Sequence, residues 1–237
     1  MNKDNALRRA QIYGFLAEVF LYPRENWSED GPVVMEIVRS LGWIGVQPNI
    51  PTNSLPELQA AHRRTFGTAG SLCYETEYGL PHEYRQSQEM ADIAGFYRAF
   101  GFNLGGAVRE RPDQVAVELE FMHILALKEA YALEVDIPEH VEICVDAQGT
   151  FLQDHLGRWV NLFAKSVAHN APDSPYAALA QFAANFVVAD ADKLGIALHQ
   201  PDLHEVQHTP FDADFSCADC VVAGLGEQGF IRATDVN

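Results

Sequence analysis

The sequence has little positive charge. Its 237 residues include 16 lysines and arginines against 33 aspartates and glutamates, so the formal net charge is −17 at pH 7. Nucleic-acid phosphates are bound by clustered Lys and Arg side chains, and this deficit argues against a DNA- or RNA-binding protein. An excess of acid favours association with a basic partner. Solubility is a simpler explanation of the same charge, so the charge alone does not decide between the two.

Long apolar runs are also absent. No stretch approaches the roughly 20 apolar residues that are needed to cross a bilayer. Arg8 and Arg9 precede the apolar segment IYGFLAEVFLYP (12–23), which superficially suggests an export signal. However, Glu18 interrupts the segment and no small-residue cleavage site follows it. We interpret the segment as a first amphipathic helix and expect a cytoplasmic protein.

Cysteine is scarce, with four in the chain. That is too few for a disulfide framework at this length, which again fits a reducing compartment. Cys217 and Cys220 form a lone C-x-x-C pair. A structural zinc site needs four ligands, and the nearby candidates His199, His204 and His208 match the spacing of no common zinc module. No βαβ pattern surrounds the pair to suggest a redox function, so two ordinary cysteines are the simplest interpretation.

Common catalytic motifs are missing as well. The chain has no G-x-S-x-G and no Ser or Cys in a setting typical of an activated nucleophile. The segment GFNLGG (101–106) fits neither the P-loop nor the dinucleotide-binding fingerprint. The sequence therefore offers no candidate for nucleophilic catalysis or for phosphate binding.

Helical periodicity runs through most of the chain, with apolar residues recurring at steps of three and four. The predicted helices span 6–21, 28–41, 55–66, 87–100, 112–133, 138–168 and 174–194. Ser28 and Ser54 are the expected N-caps of the second and third helices. A bend is expected in the sixth helix at Gly149 or Gly157. Because neither strands nor internal repeats are indicated, the predicted fold class is all-α.

Residues 67–87 have no usable period, and a loop of this length tends to be functional or disordered. Three tyrosines, Tyr74, Tyr78 and Tyr84, argue against disorder. We therefore expect this loop to contribute to function.

The last part of the chain changes character. Residues 199–237 carry seven acidic residues against one basic residue, Arg232. This composition predicts an acidic, partly ordered tail. The predicted organisation is one all-helical bundle domain, residues 1–196, followed by the acidic C-x-x-C tail, residues 197–237.

Helical bundles often contain metals, and a di-iron centre requires two Glu-x-x-His pairs plus a Glu from each of two further helices. The sequence contains Glu120-x-x-His123 and Glu205-x-x-His208. Chance alone predicts about 0.7 such pairs in a chain with this much Glu and His, so two are unremarkable. The second pair also lies between two nearby prolines, in a span too short for a bundle helix. A helical metalloenzyme using these four residues is the alternative function from another class.

The segment before the fifth helix is unusually polar and rigid. Pro112 suits the first turn of a helix, where its missing N–H is not needed, and Asp113 complements the positive helix end. Capping explains these two residues. Glu110, Arg111 and Gln114 exceed what capping needs, which indicates a binding surface.

Several segments together resemble the TorD/DmsD/NarJ family of chaperones for molybdenum oxidoreductases. They are HRRTFG (62–67), CYETEYG (73–79), EMADIAGFYRAFGF (89–102), ERPDQVAVELEFMHILALKEA (110–130) and FLQDHLGRWVNLFAKSV (151–167). The family's helix-opening motif is Glu-x-Pro-Asp-His, which Glu110, Pro112 and Asp113 match, whereas Gln114 replaces the histidine. The motifs occur in the family's order, across about residues 6–196.

The resemblance implies a single all-α domain with no cofactor and no catalytic activity of its own. Such a chaperone binds the immature catalytic subunit of a molybdopterin oxidoreductase, usually at its N-terminal segment, which is often a twin-arginine signal. It keeps this client competent for molybdenum cofactor insertion before export or assembly. Neither nucleic-acid binding nor direct membrane insertion is implied, and both a monomer and a domain-swapped dimer stay open.

An amphipathic client peptide could lie in an acidic, tyrosine-rich groove, since tyrosine offers an apolar body and a polar tip. Phe66, Tyr74 and Tyr78 are expected to supply apolar and hydrogen-bonding contacts. Glu75, Glu77 and Asp113 are expected to pair with basic client residues. The full set of expected client-binding residues is Phe66, Tyr74, Glu75, Glu77, Tyr78, Glu110, Arg111, Pro112, Asp113 and Gln114. Asp113→Lys is expected to weaken peptide binding while helical content stays unchanged.

Gln114 is the main departure from the family motif. Histidine can change charge near neutral pH and glutamine cannot, which puts in doubt any pH-tuned step and the weak guanine-nucleotide binding of some members. The departure favours a branch that serves a nitrate, selenate, chlorate or hydrocarbon-oxidising enzyme. A structural subunit that stays bound in an oxidoreductase complex is a third possible function.

Overall fold

The computed structural model describes residues 2–43, 45–67, 73–78, 83–103 and 110–199, with residues 83–86 described by their backbone alone. In these ranges the chain forms eight α-helices: α1 Lys3–Phe20, α2 Gly31–Leu41, α3 Leu55–Phe66, α4 Glu83–Ala99, α5 Val115–Glu134, α6 Pro138–Asp154, α7 Leu156–Asn170 and α8 Pro175–Lys193. Short 3-10 turns form at Trp27–Asp30 and Glu75–Tyr78. The predicted all-α fold is confirmed. None of the described helices is long and apolar enough to cross a membrane.

The predicted caps of the second and third helices have different outcomes. Ser54 caps α3 as expected, and the Glu57 carboxylate accepts the Ser54 backbone N–H at 2.8 Å, which completes a capping box. Ser28 does not cap α2. It lies in the first 3-10 turn, where its hydroxyl bonds Asn26 and the Asn53 carbonyl oxygen, and α2 begins three residues later at Gly31.

The predicted helix 138–168 is two helices. α6 ends at Asp154 and α7 begins at Leu156, with His155 between them in a non-helical conformation. The expected bend near Gly157 is therefore a complete break. At this break the backbone of Gly157 lies so close to the Leu152 carbonyl oxygen that a Cβ could not fit between them.

Helices α1 and α5 pack along each other at the centre of the bundle. Gly14 allows this close approach, because a Cβ at that position would lie 3.0 Å from Nδ1 of His123. The same His123 Nδ1 hydrogen-bonds the Ala10 carbonyl oxygen at 2.7 Å. Helices α6, α7 and α8 surround this pair, and aromatic contacts such as Phe20 with Phe163, 5.2 Å between ring centroids, fill the core.

A buried ionic network links four helices inside the core. Arg9 on α1 forms ion pairs with Glu129 on α5 at 2.8 Å and with Asp190 on α8 at 2.5 Å. Arg9 also donates to Gln148 on α6 at 2.6 Å, and the Tyr13 hydroxyl donates to Asp190 at 2.7 Å. All five residues are buried. Apart from Glu129 Oε1, which has no hydrogen-bond partner among the described residues, the polar groups satisfy one another, which is the condition for placing such groups in a core.

All eight helices belong to a compact unit of residues 1–207. After α8, Ile196 and Leu198 pack against the core beside Gly149 and Gly157. The boundary at residue 196 stays a prediction, although packing continues two residues beyond it. The rest of the predicted tail, with Cys217 and Cys220, lies outside the described residues, as does the side chain of Tyr84.

Candidate functional site

Two segments that are distant in sequence meet at the start of α5. The Glu75 N–H donates to the Asp113 carbonyl oxygen, and the Val115 N–H donates to the Cys73 carbonyl oxygen, both at 2.8 Å. These two bonds pair Tyr74 with Gln114 in an isolated antiparallel bridge. The predicted Tyr/Glu segment and the predicted polar segment thus lie side by side. We call residues 73–78 together with 110–118 the α5 corner.

Gln114 is the N-cap of α5. Its side-chain oxygen accepts the backbone N–H groups of the second and third helical residues at 2.7 and 3.3 Å. The expectation that Pro112 lies in the first turn of the helix is therefore wrong, and Asp113 directly precedes the cap. Both residues lie in the turn that precedes the cap. The residue that departs from the family motif is the one that caps the helix.

Asp113 is completely buried, with 0% of its surface exposed. Its carboxylate accepts hydrogen bonds from the Thr76 hydroxyl at 2.8 Å and from the Thr76 N–H at 3.3 Å. It also accepts two from the Arg111 guanidinium, at 2.9 and 2.7 Å. This geometry leaves Asp113 no exposed surface with which to pair with a basic client. We correct its expected role: it anchors the α5 corner.

Arg111 forms the outer face of the α5 corner. Its guanidinium lies over the Tyr74 ring, 4.3 Å from the centroid, and 3.8 Å from the Glu77 carboxylate. Its side chain is 42% exposed. Burial raises the pKa of Glu77, and the Arg111 charge partly opposes that rise. Tyr74, Glu77 and Arg111 are the expected site residues that this face presents together, and stacking plus charge fix their positions.

Two of the expected aromatic contacts belong to the core. Tyr78 is buried, with its ring 5.4 Å from that of Trp159. Phe66 is partly buried and packs against Phe163, at 6.3 Å between centroids, and against Tyr176, at 5.0 Å. The expected tyrosine-lined groove is therefore not formed by these two side chains, which pack in the core instead.

Glu75 connects the α5 corner to the junction between α6 and α7. It is buried, and its carboxylate lies 3.2 Å from His155 Nδ1. Behind it, the fully buried Glu118 accepts a hydrogen bond from Trp159 Nε1 at 3.0 Å. Burial raises the pKa of Glu118 well above its usual range, and the charge of Glu75 raises it further. This shift favours the protonated form of Glu118, which relieves the repulsion between the two carboxyl groups.

Glu118, His155 and Trp159 are site residues to which the sequence argument gave no role. Glu118 lies one helical turn after Gln114, on the face of α5 that follows the cap. The neighbouring Glu120 is exposed, so charge in this run did not by itself identify the buried residue. His155 and Trp159 lie in the segment DHLGRW (154–159), which carries part of the family resemblance. Their meeting with Glu75 depends on the break between α6 and α7.

Next to this cluster, a cavity of about 730 Å³ lies between α4 and the α6–α7 junction. Phe96 of α4 and Phe100, the residue after its end, form one wall, and Asp154, His155 and Arg158 form the other. We call this cavity the α4 cleft. Arg158 also lies 3.9 Å from Glu75, so the cleft and the α5 corner share a wall.

Two further cavities open elsewhere on the bundle. One, of about 550 Å³, lies between α5 and α6 and includes the exposed apolar side chains Tyr131 and Ile143. The other, of about 450 Å³, brings Glu110 of the corner next to Glu18 and Glu25. Glu110 therefore contributes to a second acidic surface. Burial raises the pKa of the neighbouring Tyr74, and the charge of Glu110 raises it further.

The metalloenzyme alternative lacks support in the part of the chain that the structure describes. His123 Nδ1 bonds the Ala10 carbonyl oxygen, and Glu120 is exposed. Across the described ranges, no three His, Cys, Asp or Glu side chains come close enough together to hold a metal ion. The other proposed pair, Glu205 and His208, lies outside the described residues.

Comparison with known proteins agrees with the geometry. Residues 35–165, more than half of the chain, match the family model described as the nitrate reductase delta subunit. The chain is 26% identical over 208 residues to the perchlorate reductase assembly chaperone protein of Dechloromonas aromatica (strain RCB), covering 81% of this chain and 92% of that protein. It is 31% identical over 206 residues to the selenate reductase assembly chaperone protein of Thauera selenatis, covering 86% and 97%. The chain therefore belongs to the nitrate reductase delta subunit family of NarJ/TorD-type chaperones.

Proposed function

We propose that this protein is a cytoplasmic assembly chaperone for the catalytic subunit of a molybdopterin oxidoreductase, and that it catalyses no reaction itself. It binds the immature subunit and keeps it competent for cofactor insertion before export or assembly. The two similar chaperones support this role, because the matches cover 92% and 97% of their lengths. Their names make an oxyanion reductase the most reasonable class of client.

The observation that carries the proposal is the construction of the α5 corner. An active site directs its polar groups towards a space where a substrate can react. In the corner, the Asp113 carboxylate and the Gln114 amide oxygen are occupied by groups of the chain itself. What faces outwards is the Tyr74, Glu77 and Arg111 surface, in which an aromatic ring and a guanidinium are held rigidly. Rigid aromatic and Arg groups are typical of protein-binding surfaces.

The chemistry of the client follows from charge. A protein of net charge −17 attracts basic segments and repels acidic ones. We propose that the recognised part of the client is its N-terminal segment, in which basic residues precede an apolar stretch, as in a twin-arginine signal. The α5 corner and the neighbouring α4 cleft combine acidic and apolar groups as such a segment requires.

The decisive experiment is deletion of the gene in the native organism. We expect the partner oxidoreductase to accumulate without molybdenum, as measured by elemental analysis of the purified subunit, and a plasmid copy of the gene to restore the metal. A partner enzyme that is fully loaded in the deletion strain would reject the proposal.

Affinity capture from native cells separates the remaining possibilities. We expect the tagged protein to retain the immature catalytic subunit and to release it once the cofactor is present. Continued association with the loaded enzyme would instead favour a permanent structural subunit. Stoichiometric iron or manganese in the purified protein would favour the metalloenzyme that uses Glu120 and His123 with Glu205 and His208.

A further inference from the structure

The α4 cleft has an apolar floor with an acidic rim. Phe96 and Phe100 supply apolar surface, and Glu89, Asp92 and Asp154 supply carboxylates. Among the lining residues that the structure describes, Arg158 is the one guanidinium. It donates to the Asp154 carbonyl oxygen at 2.9 Å and lies 3.9 Å from Glu75. The lining is therefore apolar in its floor and net negative at its edge.

His155 is a largely buried polar residue in the wall of the cleft. Its side chain is 7% exposed. Nδ1 is turned inwards to Glu75 at 3.2 Å, and the ring packs against Phe96 and Phe151. The ring is part of the cleft wall. An imidazole in a cavity wall is a group with which a bound chain can form a hydrogen bond.

Gly95 keeps the cleft open on the α4 side. A Cβ at this position would meet no atom within 4 Å. Glycine inside a helix lowers stability relative to alanine, and neither a positive φ nor a close packing contact requires it here. The volume of about 730 Å³ has the size of a ligand site and accommodates a few side chains of a peptide.

We infer that the α4 cleft is the docking site for the basic, apolar segment of the client, with client arginines at the Asp92 and Asp154 rim and an apolar side chain against Phe96. This inference rests on the proposed function and adds the location and the contacts. The cavity between α5 and α6 is the rival location. Its apolar wall includes Tyr131 and Ile143, but Lys128 and His140 border it, which disfavours an arginine-bearing segment.

The test uses the full-length protein and a fluorescein-labelled synthetic peptide in which two adjacent arginines precede a run of leucines and alanines. Fluorescence anisotropy measures its affinity. Gly95→Leu fills the cleft from a position with free space, and we expect it to weaken binding about tenfold or more. Gly95→Ala adds only a methyl group and is the matched control, which should bind as the wild type does. Ile143→Ser, in the rival cavity, should also retain affinity.

A charge variant provides independent evidence. Asp92→Asn combined with Asp154→Asn changes two exposed side chains and is expected to weaken binding of the arginine peptide. Circular dichroism verifies that each variant is folded. A peptide with glutamates in place of the arginines should bind poorly to the wild type and should not be weakened further by these substitutions.

The outcomes separate the inference from the proposed function. Wild-type affinity in Gly95→Leu and in the charge variant, or loss of binding in Ile143→Ser, would overturn the α4 cleft as the site. Absence of peptide binding by the wild type would also overturn it. After any of these outcomes, the proposed function stands if deletion of the gene still leaves the partner enzyme without molybdenum. The proposed function fails only if that enzyme is fully loaded in the deletion strain.

Discussion

Arg111 and Asp113 form a two-point ion pair across the surface of the protein. Arg111 Nε and Nη2 donate to the two carboxylate oxygens of Asp113 at 2.9 and 2.7 Å. The carboxylate is fully buried, whereas the Arg111 side chain is 42% exposed. The pair therefore joins the interior to the face of the α5 corner, and the shape of that face depends on it.

Asp113→Ala should lower the free energy of unfolding by about 1–3 kcal/mol, because Thr76 and Arg111 lose their acceptor. Arg111 can turn towards water, so the loss should be smaller than for a pair that is buried on both sides. Chemical denaturation measures it. Asp154→Ala, at an exposed aspartate, is the control and should change stability by less than about 0.5 kcal/mol. Equal stabilities of the two variants would contradict the anchoring role of Asp113.

The structure changes the expected result of Asp113→Lys. From the sequence alone, this substitution should weaken peptide binding and leave helical content unchanged. The observed geometry would bury an ammonium group at a position with 0% exposure, next to the Arg111 guanidinium. A buried, like-charged pair is strongly unfavourable. We now expect a lower melting temperature and reduced ellipticity at 222 nm. Unchanged ellipticity and melting temperature would restore the original expectation.

Local signals made parts of the fold predictable. Ser54 and Glu57 have the spacing of a capping box, and the structure contains that box. The break at His155 was not predictable, because histidine does not by itself end a helix. It depends on the close approach of Gly157 to Leu152, and on Leu198 packing at the same place. Contacts from a later part of the chain decided the geometry.

The sequence identified the two segments that form the α5 corner. It did not identify the roles that individual residues have there. Asp113 is a much better N-cap residue by general preference than Gln114, yet the structure uses Gln114 as the cap and buries Asp113. That choice depends on Thr76, whose position relative to Asp113 cannot be deduced from spacing. Similarly, Glu118 gains its role from Glu75 and Trp159.

Glu118 should make stability depend on pH. Its pKa in the folded chain lies well above the ordinary value of 4.5 because of burial, so the folded state holds a proton that the unfolded state releases above that pH. Stability is therefore lost as the pH rises from about 4.5 towards the folded pKa. Glu118→Gln keeps the neutral form, accepts from Trp159 and can donate to Glu75. It should melt higher than the wild type at pH 8.

The gain in melting temperature of Glu118→Gln over the wild type should shrink as the pH falls towards 5. At lower pH, Glu118 of the wild type is increasingly protonated in the unfolded state as well as in the folded state. Each unit of pKa difference corresponds to about 1.4 kcal/mol, or several degrees in melting temperature. Glu120→Gln, on an exposed face of the same helix, should show no such pH dependence. A pH-independent effect of Glu118→Gln would show that Glu118 is ionised in the folded protein.

Arg9→Met should destabilise the bundle severely. It leaves the buried carboxylates of Glu129 and Asp190 without a positive partner, and breaking such a pair typically costs about 3–5 kcal/mol. Arg8→Met, one residue earlier and partly exposed, is the matched control and should be nearly neutral. Thermal denaturation measures both.

The Arg9 variant should also recover stability as the pH is lowered. Without the guanidinium, burial favours protonation of the two carboxylates in the folded state, so acid stabilises that state relative to the unfolded chain. Wild-type stability of Arg9→Met at neutral pH would mean that the network is dispensable for the fold.

Gly157→Ala and Gly95→Ala should have opposite effects, although each adds one methyl group to a helix. At Gly157 the new Cβ would overlap the Leu152 carbonyl oxygen and lie 2.6 Å from Leu198 Cδ2. A backbone atom cannot move aside cheaply, so we expect a loss of about 1–3 kcal/mol. At Gly95 nothing lies within 4 Å, and the better helix propensity of alanine should add about 0.5–1 kcal/mol. Urea denaturation of both variants measures the difference. If Gly157→Ala were as stable as the wild type, the α6–α7 junction that positions His155 would have to be looser than this geometry, and the wall of the α4 cleft with it.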